Sequence, residues 1–244
     1  MNQNDPAPIT PSYDPHGHLA KVSGLTLRPG GLSITRRALE FCAFGQGAKI
    51  VDAGCGPGET LKLLRDLGFE ASGVDPDQRY VEMAGKFGPA VKGTLESLSL
   101  SAQNADGVFC ECALNLSSDR LGSLSEIYKV LKPGGHFVLA DIFTLGLDPK
   151  NPPPPQNTAP SCVGGAVTLT EARWQIESLG FEIKLTEDYA PALNALAAKL
   201  VWTYGQRGLA FLPTPKRDCA VGEKPPKLTY ALLISQKPEG PFCP

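Results

Sequence analysis

The chain has 244 residues, of which 42% are hydrophobic and 20% charged, with a formal net charge of −2. This balance supports a sizeable core within one α/β domain carrying additions. It excludes a broadly disordered chain, and it lacks the basic excess of a nucleic-acid-binding surface. The first residues, MNQNDPAPIT, contain no basic region followed by an apolar run, so no signal peptide is expected. No stretch approaches the length needed to cross a bilayer. The expectation is a cytoplasmic protein, monomer or homodimer, with no membrane or nucleic-acid partner. Seven cysteines without a secretion signal read as reduced thiols, not as a disulfide framework.

Residues 1–30 are rich in Pro, Gly and polar groups and predict an irregular arm ending at Arg28-Pro29-Gly30-Gly31. A helix is expected from about Ser33 to Phe41, then a short buried strand over Ala48–Asp52. A Gly-rich turn leads into a helical stretch with apolar positions at Leu61, Leu63, Leu64 and Leu67. Phe69–Val74 reads as a strand, Gln78–Lys86 as a helix, Ala90–Lys92 as a short strand and Gly107–Leu114 as a strong one. The helix over Leu121–Leu131 stops at Lys132-Pro133-Gly134-Gly135, where Pro and Gly prevent its continuation. His136–Phe143 is the next strand. Alternation of this kind argues for a doubly wound, largely parallel sheet.

Residues 147–163 form a Pro-rich loop insertion, and segments this long are often functional. A helix (Thr170–Leu179), a strand (Phe181–Asp188), a helix (Ala190–Tyr204), a Pro-rich loop and a final strand (Thr229–Gln236) follow. The domain is expected over residues 31–238, with a tail at 239–244. Trp174 is expected in the core. Trp202 and Tyr204 are assigned to core or pocket, and Pro213–Lys227 to a loop or lid.

The turn after the first strand reads Asp52-Ala53-Gly54-Cys55-Gly56-Pro57-Gly58. Its glycines permit a sharp strand-to-helix turn and close approach of a ligand to the backbone. The amides of the next helix favour a carboxylate or phosphate. Asp75, followed by Pro76, ends the second strand, where an acid can accept hydrogen bonds from two ribose hydroxyls. The glycine spacing differs from Gly-x-Gly-x-x-Gly, and Asp52 would repel a pyrophosphate. An adenosyl amino acid therefore suits the loop better than a dinucleotide.

The ordered segments VDAGCGPGE, GVDPD, ADGVFCECALNL and LKPGGHFVLADIF resemble the motif series of class I S-adenosylmethionine-dependent methyltransferases, over roughly Leu27–Lys237. The resemblance implies a Rossmann-like sheet of seven strands, mostly parallel, with helices on both faces and an antiparallel C-terminal strand at TYALLISQKP. It implies S-adenosylmethionine as cofactor and a small molecule as substrate. Carried over by position, Asp52, Gly54 and Gly56 hold the methionine moiety and Asp75 the ribose, with Cys55, Gly58, Pro76 and Thr94 also counted as cofactor-binding. Leu95 flanks the adenine, and the backbone near Glu111 passes the cofactor. Relatives often carry Gly-Asp-Ala where this chain has Gly93-Thr94-Leu95. Thr94 offers only an uncharged, weaker hydrogen bond to the adenine.

Methyl transfer from a sulfonium needs positioning and exclusion of water more than a general base. His16 and His18 are the candidate bases if the arm folds over the pocket; His136 at a strand start reads as structural. Cys110 and Cys112 stand at the carboxyl end of the fourth strand, where ligands bind in open α/β sheets. Their spacing of two predicts side chains on one face. CALNLSSD is similar to the Cys-Val-x-Asn-Leu segment of arsenite methyltransferases, and SCVGGA to their Cys-x-x-Gly-Ala segment. The resemblance implies Cys112 and Cys162 as metalloid-binding residues. Arg28-Pro29-Gly30-Gly31 stands where those enzymes carry a third cysteine, so a trithiolate site is not expected. Buried free cysteines also serve as small hydrophobes. Cys55 reads that way, Cys42 matches nothing, and Cys219 and Cys243 receive no role.

The leading expectation is methyl transfer to a thiophilic arsenic, selenium or sulfur acceptor. The alternatives are carbon or oxygen methylation of a quinone-like or other apolar molecule, a non-catalytic cofactor- or metalloid-binding sensor, and a nicotinamide oxidoreductase.

Overall fold

Parallel strands buried on both faces draw on near-continuous apolar runs. The segments β1 (Lys49–Ala53), β2 (Glu70–Asp75), β3 (Ala90–Lys92), β4 (Ala105–Glu111) and β5 (Leu131–Leu145) pair in parallel in this way. A computed structural model describes residues 18–145, 162, 164–205 and 227–240. β6 (Glu182–Asp188) and β7 (Lys227–Gln236) complete the sheet, and β7 runs antiparallel to both β5 and β6. The strand order is β3-β2-β1-β4-β5-β7-β6. Chain order reverses between β1 and β4, which places a crevice at their carboxyl ends.

Each face carries its own core. One cluster joins Ile34 and Leu39 of α2 (Leu32–Cys42), Leu61 and Leu64 of α3 (Glu59–Asp66) and Ala84 of α4 (Gln78–Ala84) to Phe109 and Tyr230. The other joins Leu124 and Ile127 of α5 (Arg120–Val130) and Ile176 of α6 (Leu169–Ser178) to Val108 and Phe137. Helices α4, α5 and α6 start at Asp77, Asp119 and Thr168, whose side chains accept from amides of the first turn.

Four expectations are corrected. The arm is not irregular throughout: His18–Ser23 forms α1, packed on α7 (Ala190–Tyr204), and a single 3₁₀ turn follows at Gly24–Thr26. The strand expected to reach Leu114 ends at Glu111, because Cys112 adopts a left-handed φ of 54° and a 3₁₀ turn follows at Leu114–Leu116. β5 begins at Leu131 opposite Ala105; residues 132–135 leave the ladder, and pairing resumes at His136 opposite Gly107. Trp174 is not in the core but 64% exposed, and Trp202 is 93% exposed. His16, residues 147–161, the loop 213–226, Cys219 and Cys243 lie outside the described residues.

Candidate functional site

β1 turns into α3 through Gly54-Cys55-Gly56-Pro57-Gly58, and each glycine has its own reason. Gly54 has φ +80°, and a Cβ there would lie 2.3 Å from the Ala113 Cβ; only glycine lets the loop pass so close to the end of β4. A Cβ on Gly58 would meet the Ala84 backbone at 2.7 Å, so this glycine serves α3–α4 packing. Gly56 has φ +50° and no atom within 4 Å of where its Cβ would stand. The loop is tied to β2: Gly54 N–H and Cys55 N–H both donate to the Val74 carbonyl, at 2.8 and 3.1 Å. Gly56 N–H donates to Asp75 Oδ2 at 2.9 Å, and Asp77 N–H to Asp75 Oδ1 at 2.9 Å. Burial pushes the Asp75 carboxyl above its ordinary range, and these two amides pull it back.

A cavity of about 440 Å³ opens over this edge. From the sequence-predicted set it is lined by Gly54, Cys55, Gly56, Asp75, Pro76, Thr94, Leu95, Glu111 and Cys112. Asp52, Gly58, Cys110 and Cys162 are not among its lining residues. Asp52 lies beneath the lining with Oδ2 unpartnered among the described residues. Burial, then repulsion from Glu111, raises its carboxyl to about 8 despite the nearby Arg28.

The floor of the cavity carries a network that motif reading missed. Arg28 is buried and lies 2.9 Å from Glu111 Oε2. The same guanidinium donates to Thr35 Oγ1 at 2.7 Å and Thr60 Oγ1 at 2.8 Å. Both threonines donate onward to Glu111, each at 2.8 Å. One carboxylate thus ties the arm, α2 and α3 to the end of β4. Arg28 Nε has no partner among the described residues. At the opposite end, burial pushes the Glu96 carboxyl up. Hydrogen bonds from Ser117, Thr94 and Ser118 outweigh that and bring it down to about 2. Glu96 Oε1 thereby joins the loop after β3 to the turn before α5.

The cysteines separate. Cys110 is fully buried in the core under α5. The left-handed φ of Cys112 turns its side chain into the other core, so the two do not share a face as expected. Cys162, 50 residues further on, donates from Sγ to the Cys112 carbonyl at 3.6 Å. Cys112 Sγ in turn donates to the Tyr230 hydroxyl at 3.6 Å. Both thiols are free. The side-chain interaction with Cys162, which favours a protonated Cys112, and then burial push the Cys112 thiol well above its ordinary range. Cys42 is buried in α2, and Cys55 Sγ packs on Gly73. Half-buried His136 meets the Phe44 ring edge-on.

The lining fits an adenosyl amino acid. Asp75 spends one hydrogen bond per carboxylate oxygen on the backbone and keeps lone pairs for hydroxyls. The open space at Gly56 admits a ligand against the backbone, and polar atoms of Arg28 at the floor and of Asp52 beneath it have no partner among the described residues. Strand order and crevice together have the form of the class I methyltransferase fold. Residues 51–139 match the family described as methyltransferase domain. An uncharacterized methyltransferase of Bacillus subtilis is 32% identical over 164 residues, 63% of this chain and 68% of that protein. The chain belongs to this methyltransferase family, and S-adenosylmethionine is its cofactor.

Mouse arsenite methyltransferase is 29% identical over 171 residues, 62% of this chain but 44% of the mouse protein. Phosphoethanolamine N-methyltransferase 2 of Haemonchus contortus, solved with S-adenosyl-L-methionine, shares the fold with a TM-score of 0.67 at 16% identity. That match covers 90% of this chain and 56% of the other. No described helix is long and apolar enough to cross a membrane.

Proposed function

We propose that the chain transfers the methyl group of S-adenosylmethionine to a small thiophilic acceptor presented at Cys112 and Cys162. The carrying observation is the approach of two cysteines distant in sequence: the Cys162 thiol donates to the Cys112 carbonyl, and Cys112 lines the cavity. Thiols select soft centres such as trivalent arsenic or selenium. A trivalent arsenic hydroxide condenses with each thiol: an S–As bond forms, an As–O bond breaks, and the thiol proton leaves with the hydroxide as water. A protonated Cys112 is compatible with that chemistry.

The bound cofactor supplies an electrophilic methyl group. The protein's part is orientation and exclusion of water. In this reading Asp75 and Pro76 take the ribose, Thr94 and Leu95 the adenine, and Gly54, Cys55 and Gly56 the methionine moiety. Beneath it lie the Asp52 carboxyl, which burial keeps protonated, and Glu111, paired with Arg28. The enzyme works in the cytoplasm, as monomer or homodimer.

A second reading, oxygen or carbon methylation of an apolar acceptor, draws support from the absence of Cys162 from the cavity lining. Incubation with methyl-labelled cofactor and arsenite, selenide, small thiols or quinones, with mass spectrometry of the products, separates the two. Label on arsenic, selenium or sulfur supports the first reading, and label on a quinone the second.

A further inference from the structure

Cys162 is held in place by a residue outside the cavity lining. Asn115 is buried, and its side-chain amide donates to the Cys162 carbonyl at 2.9 Å and the Ile142 carbonyl at 2.7 Å. It also lies 2.9 Å from Asp141 Oδ1, so two amide hydrogens serve three acceptors. Its own oxygen accepts from Arg120 at 2.7 Å, which sets the orientation of the amide. The backbone repeats the attachment. Asn115 N–H donates to Asp141 Oδ2 at 3.2 Å, and a Cβ built on Gly165 would lie 1.9 Å from the Asn115 carbonyl oxygen. The turn that carries Cys162 therefore docks on Asn115 at both ends, by a hydrogen bond at Cys162 and by a contact only glycine permits at Gly165.

We infer that Asn115 is a positioning residue that holds Cys162 with its thiol against the Cys112 main chain, so that the two cysteines act as one dithiol. This rests on the acceptor reading above but goes beyond it, because it assigns the geometry of the pair to a residue that touches neither cofactor nor acceptor. Asp141 and Arg120 fix Asn115 in turn. The arrangement is a relay from the buried Asp141 and the part-buried Arg120, through one amide, to a main-chain carbonyl.

The test uses the full chain and phenylarsine oxide, which bridges paired thiols and is stripped from single thiols by excess monothiol. Adduct surviving a mercaptoethanol challenge is counted by mass spectrometry in the wild type, Asn115→Ala, Gly165→Ala and Cys112→Ser. The expectation is a durable adduct in the wild type, weakened about 10- to 100-fold in Asn115→Ala and Gly165→Ala. S-adenosylmethionine affinity should stay unchanged in Asn115→Ala, which a general loss of structure would not allow. If Asn115→Ala fails to fold, Asn115→Ser carries the same comparison.

An adduct as durable in the folded Asn115 variant as in the wild type overturns the inference and leaves the acceptor reading standing. The absence of any durable wild-type adduct overturns the inference and the acceptor reading together, because thiols that cannot be bridged cannot share one acceptor. A durable wild-type adduct lost in the variants, with no labelled arsenic, selenium or sulfur product, supports the inference and refutes the acceptor reading.

Discussion

Replacing Asp52 by Asn removes a carboxyl whose ordinary value of 3.8 is raised to about 8 by burial and by Glu111. Between those values the folded chain keeps a proton that the unfolded chain has lost. Wild-type stability from this group is therefore fully present below the unfolded value and lost as pH rises through the folded one. Asn does not titrate and keeps nearly the same shape. Other titrating groups, Asp141 among them, occur in both proteins and cancel in the difference. One proton of linkage changes the stability difference by about 1.4 kcal/mol per pH unit. The Asn variant should gain about 2.7 kcal/mol on the wild type between about pH 5 and about pH 7. Urea unfolding of both proteins at three pH values measures it. A difference independent of pH would refute the argument that Asp52 is buried with a raised affinity for its proton. The same variant should bind S-adenosylmethionine more weakly.

Three further outcomes follow from the geometry. Arg28→Met leaves Glu111 as a buried carboxylate without its cation and should cost about 3–5 kcal/mol in chemical denaturation. Gly54→Ala places a Cβ 2.3 Å from Ala113 at a left-handed φ. It should cost about 1–3 kcal/mol and weaken cofactor binding, read by denaturation and calorimetry. Cys110→Ala, in the core away from the cavity, should cost about 1 kcal/mol in urea unfolding and leave methyl transfer at the wild-type rate.

Much of the fold was legible because local and tertiary signals agree. β3 and α7 fall where apolar pattern and Pro or Gly punctuation place them, and the antiparallel β7 follows from the family resemblance. Helix α1 was not legible. Six residues cannot hold a helix by propensity, and its support comes from α7, far along the chain. Trp174 misled because an apolar type says little about which helix face meets the core.

At the cavity, the loop from Gly54 to Gly56, Asp75 and Cys112 fall where the motifs place them, and Cys162 contacts Cys112 without lining the cavity. The division between Cys110 and Cys112 was not readable, since it depends on one left-handed φ at a residue type that rarely adopts it. The Arg28–Thr35–Thr60–Glu111 network was hidden because its members become neighbours only after the sheet forms. The one readable hint was an arginine immediately before Pro-Gly-Gly, ahead of the first helix.

The central claim is that the acceptor is held by Cys112 and Cys162. Its most direct test is the Cys112→Ser, Cys162→Ser double variant with arsenite and methyl-labelled cofactor, its products compared with those of the wild type by mass spectrometry. Labelled methylarsenic from the wild type and none from the variant, with S-adenosylmethionine still bound by both, is the predicted result. Equal labelled product from both proteins would contradict it.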